Sequence, residues 1–118
     1  MNITLRPNFS TWEFRCRCGC GLFIRPPEPL LDALQAARNI FGPVFINSGT
    51  RCPFHNRMVG GEKFSMHLLG SAADITVPGV PIADIAAWFT GWSGGLGVYP
   101  SRGFIHIDAG PNRRFGEK

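Results

Sequence analysis

Between Glu28 and Phe41 the apolar residues Leu30, Leu34, Ala37 and Phe41 recur at intervals of three and four, which lines one side of an α-helix. Pro29 stands near the start of this run and Gly42-Pro43 follows it as a stop. A second run of the same period, Ile82, Ile85, Ala86 and Phe89, opens at Pro81 and ends by Gly91. Around these helices the pattern changes to short β-rich runs: VFINS (44–48), AADITV (72–77), GLGVYP, and GFIHIDA. The last two read as adjacent strands joined by a turn from Pro100 to Gly103. FSTWEF (9–14) predicts one helical turn, with Ser10 as cap and Glu13, three residues on, closing a capping box. CRCGCG follows as a turn-rich loop. The stretch from Ser48 to Met66 has neither period and reads as one long irregular loop, a feature that in small domains is usually functional or disordered. The order is helix, strand, long loop, strand, helix, strand, strand. It predicts an α+β fold, a small, mostly antiparallel sheet with flanking helices.

Composition narrows this further. A chain of 118 residues makes one domain, 1–118, and a 44% hydrophobic, 17% charged composition suits a packed globule. Fifteen glycines and ten prolines argue against a helical bundle or coiled coil. The net charge is +4, but the basic residues are scattered apart from Arg113, Arg114 and Lys118, so nucleic-acid binding is not indicated. No stretch approaches membrane-spanning length, and MNITLRPNFS lacks a basic region followed by an apolar run. The expectation is synthesis in the cytoplasm.

The chemistry-bearing residues are few. The chain has three histidines, His55, His67 and His106. In SMHLLGSAADI, His67 lies at a loop end and Asp74 early in a strand, and the small residues between them let the two side chains converge. His106 comes from FIHID. Catalytic zinc is held by three protein ligands with a fourth position left for water, and His67, Asp74 and His106 would make such a set. On spacing alone, a hydrogen-bonded structural pair is the commoner reading. Three features favour the ion. An unpartnered His106 would be costly to bury between apolar strand neighbours, Asp108 shares its strand face, and Arg51 lies in the loop that would border the same cleft.

The segments INSGTRCPFHN, SMHLLGSAADI and GGLGVYPSRGFIHID, in that order, resemble the signature of the zinc D-alanyl-D-alanine carboxypeptidase and peptidoglycan endopeptidase family. The likeness is greatest to its short branch in phage and bacterial cell-wall peptidases, which also opens with an F-x-C-x-C-G-C-G segment. It runs from Phe9 to Phe115, leaving residues 1–8 and 116–118 as terminal extensions. The resemblance implies a hedgehog-like fold, Zn²⁺ on His67, Asp74 and His106 with water in the fourth position, and Arg51 holding a substrate carboxylate. It also implies action on the cell wall, with release by phage lysis or carriage in a phage particle as the route outward. The mild positive charge suits that anionic polymer.

One departure stands out. Better-known relatives carry a catalytic acid three residues before the last histidine ligand, and here that residue is Gly103. Asp108 is the best replacement as general base, because residues i and i+2 of a strand project to one side. It serves equally as a carboxylate that orients a metal-bound histidine. His55 is a candidate donor to a developing oxyanion, with a bland loop role as its alternative, and Ser65 either binds substrate or caps a turn. Cys16, Cys18, Cys20 and Cys52 suggest a staple, either a disulfide or a second, structural metal ion.

The expected function is zinc-dependent hydrolysis of a peptide bond in peptidoglycan stem peptides, as a D,D-carboxypeptidase or an L,D-type endopeptidase. The main alternative is a non-catalytic, zinc-stabilised cell-wall-binding or phage-tail module of the same fold. A cysteine-based zinc module on nucleic acid fares worst, since it leaves Asp74, His106 and Asp108 unexplained.

Overall fold

The computed structural model describes residues 2–117. Strands β1 (Thr4–Arg6) and β2 (Phe9–Ser10) pair antiparallel as a small ribbon that leads into the one-turn helix α1 (Thr11–Phe14). The capping box is present: the Ser10 backbone N–H donates to Glu13 Oε2 at 2.6 Å. Helix α2 spans Glu28–Phe41 and stops at Gly42, whose φ of +94° suits a residue without Cβ and whose N–H closes on the Arg38 carbonyl. Arg6 from β1 fastens the ribbon to α2 through Glu28 and Asp32.

The main sheet has five strands in the order β3-β4-β6-β5-β7: β3 (Phe45–Ser48), β4 (Ala72–Thr76), β5 (Gly95–Tyr99), β6 (Phe104–Asp108) and β7 (Arg113–Gly116). All its pairings are antiparallel except β5 with β7. Helix α4 (Ile82–Trp88) joins β4 to β5. The α+β architecture expected from the periodicity is therefore the one observed. The core contains Leu30, Leu31, Leu34 and Ala37 of α2, Ile85 and Phe89 at α4, and Ile46, Ala73, Ile75, Leu96, Ile105 and Ile107 of the sheet. Each large member contributes about 1.5–3 kcal/mol on burial.

Two expectations require correction. The long loop is not structureless, because Pro53–Met58 form a short helix, α3, capped by Cys52, whose sulfur accepts from the His55 N–H at 3.3 Å. A 3₁₀ turn at Met66–Leu69 follows. The helix carries Phe54 and Met58 exposed and buries only Asn56, so it has no apolar stripe to announce it. The β1–β2 ribbon and β7 were also not foreseen. Two or three residues are too few to show a period of two, and β7 is an exposed edge strand of sequence RRFG without alternation.

The alternation in β6 positions the site. Ile105 and Ile107 face the core, so His106 and Asp108 project from the opposite face. In β4, Ala73 and Ile75 go to the core and leave Asp74 beside them on the other side.

Candidate active site

Asp74 and His106 are directly opposed in the β4–β6 register, a placement that brings facing side chains within contact distance. His67 arrives from the 3₁₀ turn, where the Ser65 hydroxyl accepts from its backbone N–H at 3.2 Å and its carbonyl accepts from the Arg51 N–H at 3.0 Å. Gly70 ends that turn at φ +70°, and a Cβ there would lie 2.5 Å from Ile24 Cβ. No other residue type fits both constraints.

The three side chains meet with mismatched hydrogen bonding. The Nδ1–H of His67 donates to the Gly49 carbonyl at 2.7 Å, which turns the Nε2 lone pair inward. That nitrogen is buried, has no hydrogen-bond partner, and lies 3.2 Å from Asp74 Oδ1. The Nε2–H of His106 donates to Asp108 Oδ2 at 2.7 Å, while its Nδ1 faces the same Asp74 oxygen at 2.9 Å. Two neutral imidazoles fixed in these tautomers aim lone pairs at a carboxylate, an arrangement that only a proton or a cation relieves. One ligand atom from each residue lies within 4.8 Å of the others, and two imidazole nitrogens with a carboxylate oxygen form a donor set suited to a divalent transition metal. Burial alone would raise the Asp74 carboxyl, but the close approach of the His106 and His67 rings to its oxygens outweighs burial and holds the pKa far below the usual carboxylate range. Burial lowers His106, yet the carboxylates of Asp108 and Asp74 on its two nitrogens raise it above the ordinary imidazole value.

Asp108 stands behind His106, away from the cleft. It is fully buried, on the far edge of the His106 ring, and does not line the cleft. Its Oδ1 accepts from Gly95 N (3.2 Å), Gly110 N (2.9 Å) and Arg113 Nη1 (3.0 Å), and its Oδ2 accepts from His106 Nε2 and Arg113 Nη2 (2.8 Å). These donors use up the oxygens that a base would turn toward water. Gly95 makes the arrangement possible, since a Cβ at that position would lie 2.5 Å from Asp108 Oδ2. Burial pushes the Asp108 carboxyl up, but His106 and Arg113 pull it down further.

A cleft of about 720 Å³ opens over His67, Asp74 and His106. Arg51 lines it, half-buried, with Nε donating to Ser48 Oγ (3.1 Å), Nη1 to Asn56 Oδ1 (3.2 Å) and Nη2 to Asp74 Oδ2 (3.2 Å). Its remaining N–H groups are free of these bonds. Ser65 lines the cleft as well. His55 does not: it lies on α3, outside the residues that line the cleft. Gly103 closes the β5–β6 connection at φ +76°, a left-handed conformation that L side chains rarely adopt. The acidic residues that line the cleft are Glu62 and Asp74, against Arg51, Arg102, Arg113 and Arg114. The four cysteines also come together, with their sulfurs within 4.8 Å of one another.

Residues 7–108 match the family model described as Peptidase M15. The chain belongs to the Peptidase M15 family. The match covers both histidines and the aspartate of the cleft and ends at Asp108, so β7 lies beyond it. Among curated proteins, the chain is 35% identical over 95 residues to the peptidoglycan L,D-endopeptidase MepK of Escherichia coli (strain K12), covering 73% of this chain and 52% of that protein. It is 40% identical over 55 residues to the probable peptidoglycan L,D-endopeptidase MepK of Haemophilus influenzae, covering 46% of this chain and 30% of that protein. The chain thus spans about half the length, or less, of these relatives.

Three contributors to this M15 cleft escaped the sequence reading. In the sequence Arg113 stands out only as part of a basic cluster, but it grips Asp108 with both ends of its guanidinium. Asn56 is buried and ties the loop together, donating to the Glu62 carbonyl at 2.9 Å while accepting from Arg51. Gly97 faces His106 across β5–β6, and the space a side chain would fill holds the Phe115 ring. The pair of glycines at 95 and 97, alternating with apolar residues, was the available signal, since glycine inside a strand marks close approach by another group.

Proposed function

We propose that this chain is a zinc-dependent peptidase acting on peptidoglycan stem peptides, of the L,D-endopeptidase type. The observation that carries the reading is the buried, unpartnered Nε2 of His67 aimed at Asp74 beside the inward Nδ1 of His106. Family membership and the similarity to the peptidoglycan L,D-endopeptidases MepK support it. His67 Nε2, His106 Nδ1 and an Asp74 oxygen would hold the ion. Zinc bound there supplies Lewis acidity, polarising a peptide carbonyl and lowering the pKa of water.

The protein's own groups do the rest. Gly49 and Asp108 fix the two imidazole tautomers, so that both rings present lone pairs. Arg51 steadies the outer oxygen of Asp74 and keeps N–H groups for a substrate carboxylate, to which a guanidinium fork is suited. The surplus of arginine over acid along the cleft favours a peptide that carries carboxylates. Glu62 is the cleft acid not engaged at the ligand set, and it takes the role of proton acceptor in place of Asp108.

The test is digestion of purified peptidoglycan followed by mass spectrometry of the soluble fragments. Fragments cut between an L- and a D-residue, lost on chelation and restored by zinc, are expected. His67→Ala, Asp74→Ala and His106→Ala should each lose the metal of the cleft together with activity. Retention on peptidoglycan without fragment release, at full metal occupancy, would identify a binding module instead.

A further inference from the structure

Outside the cleft, the other cluster of metal-capable side chains among the described residues sits where the N-terminal loop meets α3. Cys16 is buried, Cys52 half-buried, and Cys18 and Cys20 exposed, and all four are free thiols. The Cys16 and Cys18 sulfurs are 3.5 Å apart and those of Cys18 and Cys52 are 3.7 Å apart. A disulfide requires about 2.05 Å. Four sulfurs at about 2.3 Å from a tetrahedral zinc stand about 3.8 Å from one another, and the observed spacings fall close to that value.

Backbone donors point at the sulfurs as well. The Cys52 N–H donates to Cys16 Sγ at 3.4 Å, the His55 N–H to Cys52 Sγ at 3.3 Å, and the Leu22 N–H to Cys20 Sγ at 3.5 Å. Such bonds stabilise a thiolate, the form that ligates metal. The segments carrying the cysteines already dock through their backbones: Cys16 N–H on the Leu22 carbonyl, and Thr50 N–H on the Phe14 carbonyl, both at 2.8 Å. We propose that Cys16, Cys18, Cys20 and Cys52 bind a second, structural zinc ion that fastens the N-terminal loop to the start of α3 and thereby fixes Arg51 at the edge of the cleft. The four protein ligands leave no open position, so this ion takes no part in hydrolysis. Binding releases the thiol protons to solvent and involves no oxidation.

Metal analysis of the protein purified with zinc, coupled to thiol titration, tests this. Two zinc ions per chain are expected. One should leave with a chelator and the other only as an organomercurial titrates the thiols, in step with them. The His67→Ala/His106→Ala variant should retain a single ion, and its cobalt(II) form should show intense thiolate-to-cobalt charge-transfer absorption. Cys18→Ser and Cys20→Ser, at exposed positions, should weaken that ion while leaving the one in the cleft in place. The inference is overturned by a zinc content that falls to zero in the His67→Ala/His106→Ala variant, by four thiols reacting freely in the native zinc-loaded protein, or by a mass that shows a disulfide among them. The measurements on the unmodified protein keep the test decisive should a cysteine variant fail to fold.

Discussion

Replacing Asp108 with Asn separates a positioning carboxylate from a proton carrier. The carboxylate accepts five N–H donors, three on Oδ1 and two on Oδ2. An amide has one acceptor oxygen and one NH₂ group, so its nitrogen must displace one of these sets, and the Oδ2 side loses fewer bonds. The NH₂ then faces His106 Nε2, which can accept only if the ring proton moves to Nδ1, the nitrogen aimed at Asp74. That tautomer cannot offer Nδ1 to a metal. Loss of such a supporting group costs roughly 10- to 100-fold in metal affinity, or about 1.4–2.7 kcal/mol. Arg113 is 41% exposed and can rehydrate when its partner loses charge, so the cost in stability should be only about 1–2 kcal/mol. The assay is competition for zinc against a chromophoric chelator, followed by kcat at saturating zinc. Weakened zinc binding with kcat largely recovered at saturation is expected. Unchanged zinc affinity with kcat abolished would refute the reasoning and return Asp108 to the role of base.

Glu62→Gln should lower kcat by roughly 10²- to 10⁴-fold with zinc content unchanged, and wild-type kcat in this variant would remove Glu62 from the mechanism. Gly70→Ala forces a left-handed residue and meets Ile24 Cβ at 2.5 Å. The left-handed backbone alone costs about 1–3 kcal/mol, and the Tm of the zinc-loaded protein should fall by roughly 4 °C per kcal/mol. The Glu28 carboxyl is held below its ordinary value by hydrogen bonds from Arg6 and Arg25. Its contribution to stability is therefore complete above the unfolded pKa of about 4.3 and is lost as pH falls through the lower folded pKa. The Tm difference between wild type and Glu28→Gln should be present at neutral pH and close on acidification; a difference that widens toward acid would contradict this.

The amino-acid sequence alone determined the elements that carry their own period or punctuation. The stripe of Leu30, Leu34 and Ala37 between Pro29 and Gly42 predicts α2, and Ser10 with Glu13 predicts the capped turn of α1, because these signals act within a few residues. The alternation in FIHID likewise separates Ile105 and Ile107 from His106 and Asp108. It also named His67, Asp74 and His106 as the residues that could share an ion. What only the tertiary structure decided is how these groups face each other. The β4–β6 register sets Asp74 against His106, the Gly49 carbonyl turns His67 inward, and Arg113 from an edge strand with no period encloses Asp108. Strand alternation says which side of the sheet a side chain takes. Whether its carboxylate meets water or five N–H donors depends on chain segments distant in sequence, and packing brings them there.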